Sequence, residues 1–259
     1  MNGLYSDIAN SLSRTEVWIR LGFSDTASKY RRSILGPLWI TLGMAITITG
    51  LGVFWSLIWK VDLSVFFPYL TAGILIWNFL VSTMVEGAVC FVQQAPVIRA
   101  APLPMFIHPL RLAVKLVITL AHNSLVYVGV ALIFKTPVDL ATLLVLPGLA
   151  LLFLFAVATA LLLGIIGARF RDFTPIVEAV MPLIFFLTPV LWFQSTLGSR
   201  AFIAELNPFT HFIAVVREPL LGHMPTLVNY SVVIGLTSIV WVVALVIFSR
   251  CRKQISLWI

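Results

Sequence analysis

Charge is scarce in this chain. Of its 259 residues 10% are Asp, Glu, Lys or Arg and 60% are hydrophobic, whereas a soluble domain carries roughly a quarter of its residues charged. So few charges cannot cover a water-facing surface of this size, which excludes a soluble globular protein and makes lipid the solvent. Cysteine is nearly absent as well: Cys90 and Cys251 have no CxxC spacing and imply neither a disulfide framework nor a metal site. No GxxxxGK(S/T) stretch occurs, so the chain has no P-loop to hold ATP, and neither HExxH nor GxSxG is present. His108, His122, His211 and His223 are scattered rather than paired as a haem or metal site requires. His122 with Asn123, within an apolar run, reads as an interhelical hydrogen-bonding pair. No 3+3 repeat is evident, which weighs against an inverted-repeat secondary transporter. The first 30 residues hold Asp7, Glu16 and Asp25 and lack an apolar core before a cleavage site, so they do not read as a signal peptide.

The net charge is +7, but the cations sit at the ends of apolar runs rather than on a polar face, which argues against nucleic acid. What the chain has in quantity is uncharged sequence. Charge-free intervals run over 33–59, 63–85, 116–134, 140–168, 179–199 and 219–249. A hydrocarbon core of ~30 Å needs about 20 apolar helical residues, and backbone groups in lipid must bond internally. The reading is an all-α integral membrane protein, one transmembrane domain over 1–259, with spans near 34–59, 66–88, 112–134, 141–168, 175–196 and 229–249. Lys and Arg set the direction. With the N-terminus in the cytoplasm, 13 of the 17 cations fall inside; Lys60, Lys135, Arg200 and Arg217 fall outside. Both termini are then cytoplasmic.

Three segments lie between the spans. Residues 1–33 place Leu4, Ile8 and Leu12 at helical spacing, then Val17, Trp18, Ile19 and Leu21 among polar residues. This predicts an amphipathic helix along the cytoplasmic surface, with Trp18 at headgroup level. The cytoplasmic loop 89–111 carries Pro96, Pro102, Pro104 and Pro109, which predicts a short, kinked and stiff connection. Its apolarity suits either a covering partner or folding back on the bundle. The outer segment 197–228 contains Asn207 and Pro208, read as N-cap and first helical position. Phe209, Phe212, Ile213 and Val216 then make one apolar stripe, and Pro219 and Gly222 end the helix. Short re-entrant or gate helices on the outer face are expected there.

Ionisable groups within or near spans are functional suspects. Glu86 and Glu178 both lie near the cytoplasmic interface, where salt bridges to Arg169, Arg171 or Lys115 compete with substrate contact as their role. Many aromatics, among them Trp39, Trp55, Trp59, Phe66, Phe67 and Trp192, sit at span ends as an interfacial belt requires. Trp77, Phe79, Phe153, Phe155, Phe185 and Phe186 lie within spans, either facing the apolar CH faces of sugars or packing against helices and lipid.

Three motifs together resemble one family. SKYRRSILGPLW at 28–39 is similar to the start of span 1 in the permeases of type 2 ABC exporters for bacterial surface polysaccharides (O-antigen, capsule and teichoic acid). RDFTPIVEAVMPLIFFLTPVLW at 171–192 resembles the family's span 5, and LNPFTHFIAVVREPLLG at 206–222 its Asn-Pro outer helix. The resemblance implies a homodimer in the bacterial inner membrane, each copy binding one cytoplasmic ATP-binding subunit, so that ATP and Mg belong to the partner and this chain is not an enzyme on its own. It implies coupling contacts at Val97, Ile98, Arg99 and Pro102 with Trp18 and Arg20, and an elbow into span 1 at Tyr30, Arg31, Arg32, Gly36, Pro37 and Trp39. It further implies a span 5 start at Arg171, Asp172 and Glu178, and an outer gate at Asn207, Pro208, Phe212, Arg217 and Glu218. The pore would be lined largely by spans 1 and 5, with a lipid-linked polysaccharide as cargo. The competing readings are a related exporter permease for a small lipid, drug or haem-like cargo, a membrane-embedded transferase, and an ion channel; the channel would want a charge ring or carbonyl filter.

Overall fold

The computed structural model describes residues 2–29, 33–36, 38–101 and 103–259. Tyr30, Arg31, Arg32, Pro37 and Pro102, on which parts of the expected elbow and coupling loop rest, lie outside the described residues. Among the described residues every regular element is helical. Two helices, α1 (Asn2–Ser13) and α2 (Thr15–Lys29), precede α3 (Leu38–Trp59) and α4 (Leu63–Ala88). Two short pieces, α5 (Cys90–Gln93) and α6 (Ala95–Ala100), lead to α7 (Ile107–Phe134). A 3-10 turn at Leu140–Leu144 opens α8 (Val145–Arg169), and α9 (Phe173–Leu187) follows. After a second 3-10 stretch, Gln194–Arg200, come α10 (Phe202–Glu205), α11 (Pro208–Leu220) and α12 (Leu227–Trp258).

Among the described residues five helices are long and apolar enough to cross a membrane: α3, α4, α7, α8 with its 3-10 turn, and α12. Five of the six expected spans are therefore long helices at nearly the expected positions. The fifth expected span, 175–196, differs. Its helix stops at Leu187 after 15 residues, about 22 Å of rise. Thr188 precedes Pro189 and is extended, with φ −99° and ψ 134°, because the proline ring disfavours helix in the residue before it. The last helix runs on to Trp258 instead of stopping at 249; the cations Arg250, Arg252 and Lys253 need not end a helix that leaves the lipid.

Both chain ends lie at one end of the bundle, here the terminal end. Asp7 accepts hydrogen bonds from the Phe106 and Met105 amides at 3.0 and 3.3 Å, capping the start of α7, and Arg252 donates to the Gly3 carbonyl. Asp25 pairs with Arg111 through two N–H donors, one at 2.6 Å. The expected single amphipathic helix is thus two helices, broken near Arg14 and tied by side chains to α7 and α12. Trp18 is half-buried against the core.

At the centre stands α4. In its most apolar window 72% of residues are buried, against 22% in α3 and in α12. Apolarity cannot distinguish these helices, since lipid tails are as apolar as leucine and small residues instead decide where backbones meet. On α8, Gly167 lies so close to α4 that a Cβ there would fall 1.9 Å from the Ala88 carbonyl oxygen. Gly36, ahead of α3, has φ +55°, a left-handed turn that costs glycine nothing.

The proline-rich connection is not irregular: α6 occupies Ala95–Ala100 with Pro96 in its first turn, where a missing N–H is harmless. Nor is α11 a one-sided surface helix. Every residue from Thr210 to Arg217 is buried, among α4, α8 and α12. The face opposite the predicted stripe carries Ala214 and Val215, and its polar members His211 and Arg217 have partners. The expected N-cap is present: Asn207 Oδ1 accepts from the Phe209 amide at 3.0 Å, with Pro208 next. Pro219 falls inside the helix, and Gly222 follows with φ +83°.

Candidate functional site: a groove and its clasp

A groove of about 780 Å³ opens along α3, α4, α7 and α9. Its apolar wall includes Met44, Leu116 and Met181, with Trp77, Phe79, Phe185 and Phe186 as aromatic faces. Trp77 and Phe185 rings lie 5.3 Å apart, inclined at 47°. Polar groups interrupt this surface at Thr47, Asn78, Ser82, Thr119 and Asn123. Among the described residues the buried Asn123 side-chain oxygen has no partner, so the expected hydrogen bonding of His122 and Asn123 across helices is not seen there. His122 Nδ1 lies 2.8 Å from its own helix's Ile118 carbonyl. The interhelical bond runs from Thr41 Oγ1 to the His122 carbonyl, at 3.0 Å. A groove of this kind meets a ligand with flat apolar faces and with hydroxyl-sized polar partners.

Four of the aromatics singled out in the sequence, Trp77, Phe79, Phe185 and Phe186, line the groove. Phe155 instead packs on Phe212, centroids 4.3 Å apart. Helices α3, α4, α7 and α9 all contribute to the walls of the groove.

At the far end a clasp holds the break after α9. The Pro189 carbonyl accepts from Arg217 Nη1 at 2.6 Å and from the Tyr69 hydroxyl at 3.0 Å. The same hydroxyl lies 2.9 Å from the Trp192 carbonyl. The Arg217 guanidinium stacks over the Tyr69 ring at 4.1 Å and is buried, with Glu218 3.5 Å from its Nε. One step earlier, Asn207 Nδ2 donates to Thr188 Oγ1 at 2.8 Å. The two carbonyls left without helical partners by the proline break are thus satisfied from α4 and α11, as buried backbone groups must be. Sequence reasoning named Asn207, Arg217 and Glu218 and missed Tyr69. A tyrosine amid apolar residues just after Pro68 was the available signal.

The terminal end carries the other named residues. Glu86 pairs with Lys115 at 2.6 Å, as expected of a bundle-end salt bridge. Glu178 is exposed at the mouth of the groove, and among the described residues it forms no ion pair. Arg171 and Asp172 are exposed just before α9. On α6, Val97 and Ile98 are half-buried, Ile98 against the core, while Arg99 is exposed and donates to the Ile259 carbonyl. Arg20 faces outward, with Glu16 3.3 Å away. Trp39 is about half exposed, the second residue of α3. Burial pushes the Cys90 thiol, between α4 and α6, up to about 12.

The sequence model of the ABC-2 type transporter family matches residues 21–221. The chain is also 20% identical over 246 residues to a protein of Klebsiella pneumoniae named O-antigen export system permease protein RfbA, with 90% of each chain covered. A second protein of that name from the same organism is 20% identical over 234 residues, again with 90% of each covered.

Proposed function

The chain belongs to the ABC-2 type transporter family, and from that premise we propose that it is the membrane subunit of an ATP-driven exporter of lipid-linked polysaccharide. Transport energy then comes from cytoplasmic ATP-binding subunits that hold ATP and Mg, two of them serving a homodimer of this chain. The observation that carries the glycan cargo is the groove, where Trp77, Phe79, Phe185 and Phe186 stand beside Asn78, Ser82, Thr119 and Asn123. Hydroxyls stripped of water in hydrocarbon cost several kcal/mol each. A lining with amides and hydroxyls between aromatic faces relieves that cost without trapping the chain. The name shared by the two Klebsiella relatives supports the same cargo.

In this reading the terminal end faces the cytoplasm of a bacterial inner membrane, because 13 of 17 Lys and Arg then lie inside. The chain crosses the bilayer six times, the fifth passage being α9 with the clasped stretch behind it. Val97, Ile98, Arg99 and Pro102, together with Trp18 and Arg20, take the stroke of the ATP-binding subunit. The elbow at Tyr30–Trp39 passes it to α3. Arg171, Asp172 and Glu178 mark the cytoplasmic start of the fifth passage, and Asn207, Pro208, Phe212, Arg217 and Glu218 belong to the outer gate.

The test is co-purification with the ATP-binding subunit of the same gene cluster, followed by ATPase assays with lipid-linked glycans and with short phospholipids. Stimulation by the glycan alone supports the reading. Stimulation by phospholipid and not by glycan would move the chain to a lipid exporter, and absence of any ATP-binding partner would refute the coupling.

A further inference from the structure

A second cavity, of about 400 Å³, lies at the far end of the bundle, apart from the groove. Its wall is built by the start of α12, one face of α11, α10 and the 3-10 stretch before it, with Gln194, Glu205, Thr210, His211, Glu218 and Asn229 supplying polar atoms. The wall is held in place by its own bonds. His211 lies 2.8 Å from both Asn229 Oδ1 and the Glu205 carbonyl, and Gln194 Nε2 donates to Glu205 Oε1 at 3.2 Å. One wall residue, Thr210, is 4% exposed and its Oγ1 has no hydrogen-bond partner among the described residues.

The chemistry narrows the occupant. Among the described residues no three His, Cys, Asp or Glu side chains are grouped to hold a metal ion. The wall sets two carboxylates against one guanidinium, and that guanidinium is already engaged by the Pro189 carbonyl, the Tyr69 ring and Glu218, so a phosphate is disfavoured. What remains is a neutral ligand with several hydroxyls, each able both to donate to a carboxylate and to accept from an amide. The volume accommodates one or two sugar rings and excludes a longer stretch of polymer.

We propose that this cavity is a saccharide-binding subsite on the outer face, occupied by one or two units of the glycan as it leaves the groove. The site rests on the glycan reading of the cargo. Thr210 lines the cavity and its buried hydroxyl has no partner among the described residues; a helical threonine has two χ1 rotamers open to it. Arg217 belongs to both places: it forms part of this wall and holds the Pro189 carbonyl of the clasp.

The experiment uses the full chain with its ATP-binding subunit in cells making the polymer. A photo-crosslinker is placed by Met224→p-benzoyl-phenylalanine, at an exposed residue lining the cavity, by Leu206→p-benzoyl-phenylalanine, exposed at the same end but outside it, and by Phe186→p-benzoyl-phenylalanine in the groove. After irradiation the purified chain is oxidised with periodate and labelled with a hydrazide, which marks vicinal diols, and its mass distribution is read. The expected result is a polymer ladder at 224 and 186 and none at 206. Thr210→Val, which removes only an unpartnered hydroxyl, is expected to lower the yield at 224 by about three- to tenfold, the worth of one hydrogen bond, and to leave 186 unchanged. A ladder at 186 alone overturns the subsite and leaves the glycan cargo standing. Equal ladders at 224 and 206, indifferent to Thr210→Val, mean passage without a site and also overturn it. A single phospholipid mass at 224 makes the cavity a headgroup site. No ladder at any position removes the glycan reading and the subsite with it.

Discussion

Replacing Arg217 with methionine is expected to open the clasp behind α9. The guanidinium makes a charge-assisted hydrogen bond to the Pro189 carbonyl at 2.6 Å, worth about 1.5–3 kcal/mol. It also stacks over Tyr69 at 4.1 Å, worth about 0.5–2 kcal/mol. Burying the charge offsets part of this, and methionine keeps most of the volume. In the variant the single Tyr69 hydroxyl proton is shared between the Pro189 carbonyl at 3.0 Å and the Trp192 carbonyl at 2.9 Å, so neither keeps a donor of its own. The net loss is about 2–3 kcal/mol, or about 30- to 150-fold in the local opening equilibrium. Val190, next in sequence and 0% exposed, is the reporter. In a background of Cys90→Ala and Cys251→Ser, Val190→Cys is labelled with a maleimide in detergent, and the rate follows the fraction of time the segment is open. Arg217→Met is expected to speed labelling by that factor. Tyr69→Phe, which removes one hydroxyl and keeps the ring, is expected to speed it about fivefold. Because both groups bond one carbonyl, the double variant is expected to depart from additivity. Labelling of the Arg217→Met variant within twofold of its parent would refute the clasp.

Three further outcomes are expected. Gly167→Ala drives a methyl to 1.9 Å from the Ala88 carbonyl, so α4 and α8 must separate, at about 1–3 kcal/mol. Gly43→Ala meets nothing within 4 Å and leaves the melting temperature of the detergent-solubilised protein unchanged, so equal melting of the two variants would contradict the packing described. Asp25→Ala strands the Arg111 side chain, 9% exposed and already holding one unpartnered nitrogen. This costs about 3–5 kcal/mol, detaches α2 from α7, and is read as faster hydrogen exchange across Thr15–Lys29. At neutral pH the buried Cys90, its thiol pushed up to about 12, is expected to resist maleimide while the half-buried Cys251 reacts; early Cys90 labelling would place that residue at a water-accessible surface.

Some features were legible because they are local. A charge-free run is a property of a stretch of chain, and five of the six expected runs became long helices, the last of them overrunning its expected end to Trp258. The Asn207–Pro208 cap was readable for the same reason, since its hydrogen bond reaches only to Phe209. The stop at Thr188–Pro189 was equally local and was passed over, because the apolar run continues through Leu191 and Trp192 and outweighed the proline. Glu86 with Lys115 followed from both groups lying near one interface. Tyr69 with Arg217 could not be read: the residues are far apart in sequence, and nothing in either neighbourhood names the other. Thr210 was hidden in the same way, since its role depends on which faces of α11 are covered.

Composition and charge placement by themselves determined that lipid is the solvent, where the apolar helices lie and at which ends the cations gather. Only the tertiary structure decided that α4 is the central helix, that α11 is enclosed rather than surface-lying, and that a groove opens along α3, α4, α7 and α9. The physical reason is the solvent itself. In water an apolar face identifies the core. In lipid both sides of a helix are apolar, so close approaches at residues such as Gly167 and a few buried polar bonds, the Tyr69–Pro189–Arg217 clasp among them, choose which faces meet.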